Sequence, residues 1–352
     1  MAANNESLPV SRATSKDRRH DYDVTNTVKV SSIDQVRAAV GKLFRAAYPT
    51  ASFDLGWMAF HDFRLLFEGR MPGHQGCDTV YHDKQHTLDV TLAMARLIAG
   101  HERSVAAPDR LGEYRATVGL ITALLHDSGY ILGTTDTTHH NGAEYTRTHV
   151  SRSAAYLRDY LPKIGLAQAV PIATEIVHFT GYERNLDEIE LDNPKDSLIG
   201  HLLGTADLVA QMADRCYLEK CRDRLYCEFV LAGIAICDQG DGFKQVRYQS
   251  GVDLLRQTPA FYRDTALKRL DGYFSGAYRY IEALYNGRNP YMEAIDRNLN
   301  FLQRIIETGE WPELRRNPPC FTVKANAVSA TNVLVNRYLN DIRNSPVVLG
   351  KA

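Results

Sequence analysis

The sequence predicts an all-α fold, a single multi-helix bundle, on three observations. Apolar residues recur at helical spacing along most of the 352-residue chain. Alternating β-branched runs bounded by turn dipeptides are missing. The ionisable residues that interrupt the apolar segments fall on separate predicted helices, as they do when several helices meet around a buried site.

Residues 1–28 are polar, charged and aperiodic and read as a disordered N-terminal segment with no apolar leader. Helical spacing begins in SSIDQVRAAVGKLFRAAY. There Ser31 or Ser32 is the cap, Val36, Val40, Leu43 and Phe44 form the apolar face, and Pro49 ends the helix. LGWMAFHDFRLLFEG is a second helix. The loop MPGHQGCDT then leads into VYHDKQHTLDVTLAMARLIAGH, a helix that is apolar beyond its first turns. GEYRATVGLITALLHDSGY is the most apolar helix and ends at His126-Asp127. A polar loop, ILGTTDTTHHNG, precedes a helix running from near Ala143 through EYTRTHVSRSAAYLRDYL. Further helices fit AVPIATEIVHF, SLIGHLLGTADLVAQMADRCYLEKC and the segments between 225 and 307. Residues 311–352 read as a C-terminal extension with a helical stretch at TNVLVNRYLNDIR, which leaves residues 29–310 as the main domain.

The 41 basic and 42 acidic residues nearly cancel, which argues against a nucleic-acid polymer or a membrane surface as partner. No apolar run approaches the roughly 20 residues of a membrane helix, so the expected location is cytoplasmic. The six cysteines include no CxxC pair, and packed, reduced thiols are expected, with Cys216 to Cys237 in helical sequence.

The 12 histidines sort by their surroundings. His20 falls in the N-terminal segment, and His61, His74, His101 and His201 read as surface or satisfied core residues. His82 and His86 are four apart, which on a helix puts them on one face with Asp89. That helix continues almost entirely apolar, and ionisable groups entering a core must be paired or bind metal. His126-Asp127 closes the most apolar helix. His149, His178 and Asp207 are each a single ionisable residue in an apolar or small-residue segment. Alone, each is an ordinary satisfied residue. Together they supply imidazole and carboxylate ligands from separate helices.

YHDKQHTLDV resembles the YHNxxHAxDV signature of class I cyclic-nucleotide phosphodiesterases. The order His86, His126-Asp127, Asp207 is similar to the H…HD…D pattern of the HD superfamily of metal-dependent phosphohydrolases. The resemblance spans residues 80 to 250. It implies two divalent metal ions (zinc, magnesium, manganese or iron), with His86, His126, Asp127 and Asp207 on the first and Asp127 bridging to the second. It also implies His82 as general acid and a small phosphoester, a nucleotide or cyclic nucleotide, as substrate. Some HD families have the order H…HD…H…H…D, in which His149 and His178 would complete the second metal. His139 and His140 would be loop residues near the site mouth, where His140 would touch substrate, while QGD at 239–241 and Gln249 resemble the phosphodiesterases' QGD and the glutamine that clamps the nucleobase. The chain departs from the phosphodiesterase pattern at Asp83, where the signature has asparagine. It departs again after His126-Asp127, where His140-Asn141-Gly142 comes late. Two other readings share these ligands: a mixed-valent di-iron oxygenase, and a degenerate HD domain that senses a ligand without catalysis.

Overall fold

The computed structural model describes residues 19–240, 243–344 and 348–351, and over these the chain is mostly helical. Ser32 caps α1 (Ile33–Ala47) by accepting from the Gln35 amide, and Val36, Val40, Leu43 and Phe44 are buried. α2 (Asp54–Phe67) buries Phe60, Phe63 and Leu66. α3 (Lys84–Ser104) is the axis of the fold, because every residue from Gln85 to Glu102 is buried. It is packed by α1, by α4 (Glu113–Leu125), by α7 (Pro194–Ala213) and by the segment Ala277–Leu284. α5 (His149–Tyr160) and α6 (Val170–Ile176) close one side against α4 and α7. After α8 (Tyr217–Lys220) and α9 (Tyr226–Leu231), α10 (Gly251–Phe261) continues through wide π turns at Tyr262–Ala266 and Lys268–Tyr273. α11 (Pro290–Thr308) packs on α7, and α12 (Ala327–Asn344) packs on α9.

A helix with no solvent face must have its charges met by protein. Arg96 of α3 donates to Asp23 (2.6 Å) and to the Tyr291 hydroxyl (2.7 Å), all three being buried. Asp23 in turn accepts from the amides of Thr25, Thr27 and Val28. The segment predicted as disordered is therefore folded where it is described: residues 19–28 are tied to α3 by this carboxylate, and the His20 carbonyl accepts from Gln85. Residues 1–18 lie outside the described residues.

Three further expectations change, and one holds with added detail. Asp83, not a residue before Tyr81, caps α3, so His82 precedes the helix and shares no helical face with His86. The helix expected from Ala143 is broken into the 3-10 turn Gly142–Tyr145 and α5, because Asn141 and Glu144 close a capping box around the turn. A small sheet is present: β1 (Ile236–Gly240) pairs antiparallel with β2 (Phe243–Val246), which pairs parallel with β3 (Val348–Lys351), so Cys237 is in a strand. Finally, the C-terminal extension carries its predicted helix, and residues ahead of that helix are stitched to the main domain. The Phe321 amide donates to Asp83 (2.9 Å), Val323 to the Cys77 carbonyl (2.9 Å), and Lys324 pairs with Asp78 (3.0 Å). The cysteines are free thiols, as expected.

Breaking the Arg96–Asp23 pair leaves a buried charge without its partner. Asp23→Asn is expected to cost about 3–5 kcal/mol by denaturant titration, a figure typical of broken buried pairs. Burial raises the Asp23 carboxyl, but the Arg96 charge and hydrogen bonds from Thr25 and Val28 outweigh it and hold it below the usual carboxylate range. A lowered folded value means that the stabilisation is present above the unfolded carboxyl's value, about 3.9, and is lost as pH falls through the folded one. Asp23→Asn should flatten that acid limb of the stability curve. An unchanged limb would remove Asp23 from this account.

Candidate metal centre

His86 sits in the first turn of α3, where the Asp83 cap fixes it: Asp83 Oδ1 accepts from the Gln85 amide (2.9 Å) and the His86 amide (3.2 Å). His126 caps the C-terminus of α4 with helical backbone angles, and Asp127 follows. Asp207 lies within α7. His86 Nε2 is 3.4 Å from Asp127 Oδ2 and 3.4 Å from Asp207 Oδ1. His126 Nε2 is 3.3 Å and 3.8 Å from the same two oxygens. One ligand atom from each of His86, His126 and Asp127 lies within 4.8 Å of the others, so this buried group could hold a metal ion.

The hydrogen bonds favour that use. His126 Nδ1 donates to the Ala123 carbonyl (2.8 Å), one of the carbonyls that a helix end leaves open. That bond makes Nε2 of the neutral ring an acceptor. Among the described residues neither His126 Nε2 nor Asp127 Oδ2 has a hydrogen-bond partner, although both are buried. Two acceptors 3.3 Å apart in a buried space repel unless a cation lies between them and their neighbours. Imidazole nitrogen and carboxylate oxygen suit zinc, manganese or iron.

His149 repeats the device. Its Nδ1 donates to the Thr146 carbonyl (2.8 Å), and its Nε2 is 3.9 Å from Asp127 Oδ1. Asp127 thus presents one oxygen to His86 and His126 and the other to His149. Gly129 permits this approach, since a Cβ there would lie 1.9 Å from the His149 carbonyl oxygen. Arg152 of α5 clamps the same turn by donating to the carbonyls of Gly129 and Ile131.

His82 is held apart from the ligand group by a residue that the sequence reading missed. Its Nδ1 lies 2.6 Å from Oε2 of the fully buried Glu228, whose Oε1 accepts from the Tyr81 amide at 2.7 Å. The His82 ring stacks on Tyr130 (centroids 4.6 Å apart), which stacks on His149 (4.3 Å). Glu183, also missed, accepts from the Val150 and Ser151 amides and lies 3.8 Å from His149 Nδ1, seating the start of α5. Neither stands out in the sequence as Asp207 does, because each sits among other charges: Glu228 after Arg222, Asp223 and Arg224, and Glu183 before Arg184, Asp187 and Glu188.

The remaining expected site residues lie elsewhere. His178 is buried in the 3-10 turn Val177–Thr180, its Nδ1 unpartnered, and among the described residues it forms no ion pair with Asp127 or Asp207. His140 is exposed, its amide donating to Glu144. His139 is tied to Asp136. Gln249 is exposed in the turn before α10, where its carbonyl accepts from Tyr226. Of the QGD stretch, Asp241 lies outside the described residues. Asp89 lines a small polar cavity of about 20 Å³ with Tyr81, Gln85, His86, Asp214 and Lys220, room for one water.

Burial opposes the charged form of each of these groups, and local charge decides which escape it. Burial pulls His82 down, but the Glu228 carboxylate, aided by Asp127 and Asp207, pushes it up to about 9. Asp127 is raised by burial yet held at about 2 by positive charge on the surrounding histidines, His126 foremost, the same demand for a cation that a metal would meet with the rings neutral. His86 rises because Asp207 and Asp127 outweigh burial, whereas burial prevails at His149 and His178 and lowers both.

An all-α domain with a buried histidine–aspartate group able to hold a metal ion is the class that fold and site define. The sequence model of the Npun_R2479-like family matches residues 70–299, well over half of the chain, and the chain belongs to that family. The matched region contains His82, His86, His126, Asp127, His149, His178, Asp207 and Glu228. No curated protein matches the chain. No helix among the described residues is long and apolar enough to cross a membrane.

Purified protein is expected to carry tightly bound transition metal by elemental analysis. Metal that binds only the folded state stabilises it by mass action, so a chelator should lower the melting temperature. His126→Ala and Asp127→Ala should each lose the metal and become insensitive to the chelator. Full metal content in both variants would dismiss this group as the binding site.

Proposed function

We propose that this chain is a metal-dependent phosphohydrolase acting on a phosphodiester, with a nucleotide or cyclic nucleotide as the substrate class. The observation that supports this most is the His82–Glu228 pair standing beside the His/Asp group without belonging to it. A ligand set alone serves many chemistries. A histidine gripped by a buried carboxylate and placed beside that set suits proton transfer to a departing alkoxide.

His86, His126, Asp127 and Asp207 would hold one divalent ion, and His149 would share Asp127 with a second. Bound there, the ions would supply Lewis acidity toward a phosphoryl oxygen and a water acidified toward neutrality. The protein's own part is orientation and proton delivery. Glu228 accepts from His82 Nδ1 and so directs the proton on Nε2 outward. Stacking on Tyr130 fixes the ring plane. The fully buried Glu228 is itself anchored by the Tyr81 amide, so it cannot swing away without losing that bond.

The test uses bis-p-nitrophenyl phosphate and cyclic nucleotides with metal-loaded protein. Hydrolysis is expected in the wild type. His82→Gln should lower kcat by about 10²–10⁴, the range for a lost general acid, with metal content unchanged. Glu228→Gln should follow in the same direction by a smaller factor. A protein that carries metal but cleaves no phosphoester defeats the reading. A loaded protein containing only iron, with the spin signal of a half-oxidised pair, would turn it toward the oxygenase alternative.

A further inference from the structure

Among the described residues four lysine or arginine side chains are buried: Arg96, Lys220, Arg224 and Arg269. Three have a carboxylate or several carbonyls as partners, although Arg96 Nε is left without a hydrogen-bond partner among the described residues. Arg96 pairs with Asp23, Lys220 pairs with Asp214, and Arg224 donates to the carbonyls of Val80, Pro318 and Pro319. Arg269 is different. Among the described residues its guanidinium has one hydrogen-bond acceptor, the Gly181 carbonyl at 2.8 Å, and no carboxylate pairs with it. One planar face lies 3.7 Å above the Tyr182 ring. A guanidinium carries five N–H donors, and taking it out of water is costly unless they are used.

Its position adds to this. Arg269 lies in the π turn Lys268–Tyr273, an irregularity that recurs at functional sites. That turn is seated on α7 through Gly204, where a Cβ would come within 2.5 Å of Phe274 and 2.8 Å of the Phe179 carbonyl oxygen. Gly204 is one turn before Asp207. Burial lowers the Arg269 guanidinium, and Tyr182, followed by Asp207, opposes that without reversing it. Gly181, the acceptor, is bonded to the turn that carries His178, and Tyr182 beyond it is 58% exposed. The turn that carries the cation thus packs on α7 one turn from Asp207, and the cation itself lies against the exposed Tyr182 ring.

We infer that Arg269 is the anion-recognising residue of this site, binding a substrate phosphate with its free donors, while the exposed part of Tyr182 stacks on the attached base. The substrate is then a nucleotide held at two points, and recognition has moved from the Gln249 region to the π turn after α10. The nature of the anion rests on the phosphohydrolase reading, but the binding itself does not.

The test is binding of AMP, inorganic phosphate and adenosine to the metal-loaded protein by calorimetry, beside metal content and melting temperature. Arg269→Met is expected to weaken AMP and phosphate by about ten- to hundredfold, the range for a lost charged hydrogen bond, and to leave adenosine unchanged. Arg269→Lys should recover part of that loss. Tyr182→Ala should weaken AMP and spare phosphate. On a hydrolysed diester, Arg269→Met should raise KM more than it lowers kcat. AMP bound equally by wild type and Arg269→Met overturns the inference, as does loss of metal along with AMP, which would make Arg269 a structural prop for the Gly181 turn. Arg269-dependent AMP binding without any hydrolysis would sustain this inference while defeating the phosphohydrolase reading.

Discussion

α3 has no solvent face, and much of the molecule follows from that constraint. A helix buried from Gln85 to Glu102 yet carrying Gln85, His86, Arg96, His101 and Glu102 needs partners for each polar group. They come from distant parts of the chain. Asp23 and the His20 carbonyl arrive from the N-terminal side, Asp127 and Asp207 from α4 and α7, Tyr291 from α11, and the Leu111 amide from the turn before α4. Residues 19–28 are placed by their contacts with this helix. They have little apolar content of their own, and the Asp23 carboxylate is what draws them in.

The same constraint explains which parts of the site were legible in the sequence. Asp207 and the His126-Asp127 pair stood out because each interrupts an apolar helix, and a lone charge there has few harmless explanations. The all-α class was legible for the same reason, since the apolar period runs through most of the chain. Glu228, Glu183 and Arg269 were not, because they sit in segments where charges are common: CRDRLYCEF, GYERNLDE and DTALKRLDGY. Nothing in those strings marks which charge turns inward. That depends on how α9, the turn after α6 and the π turn after α10 meet α5 and α7, a matter of tertiary packing. The small sheet escaped notice because its strands are four or five residues long and one lies near the C-terminus.

The pairing of His82 with His86 was anticipated on a mistaken ground. Helical spacing suggested a shared face, but His82 lies before the helix. What brings it back to the site is Glu228 on one side and the Tyr130 ring on the other. Proximity arises here from long-range contacts, and the i, i+4 spacing plays no part in it. The distinction has a chemical consequence. Two histidines on one helical face tend to become ligands of one ion, whereas a histidine set off by a cap and held by its own carboxylate is free to carry a proton.

Asp83 is the residue that separates the two histidines, and it stands where the phosphodiesterase signature has asparagine for a local reason. Its Oδ1 accepts from two amides at the start of α3, and its Oδ2 accepts from the Phe321 amide. An asparagine has one side-chain oxygen and would place an N–H against the Phe321 amide, a donor facing a donor. With aspartate, one side chain starts the ligand helix, turns His82 out of it and pins the segment before α12 across the front of that loop. Lys84 completes the stitch by donating its amide to the Phe321 carbonyl. The aspartate thus couples the loop that carries His82 to the C-terminal segment, an arrangement that needs a carboxylate at this position.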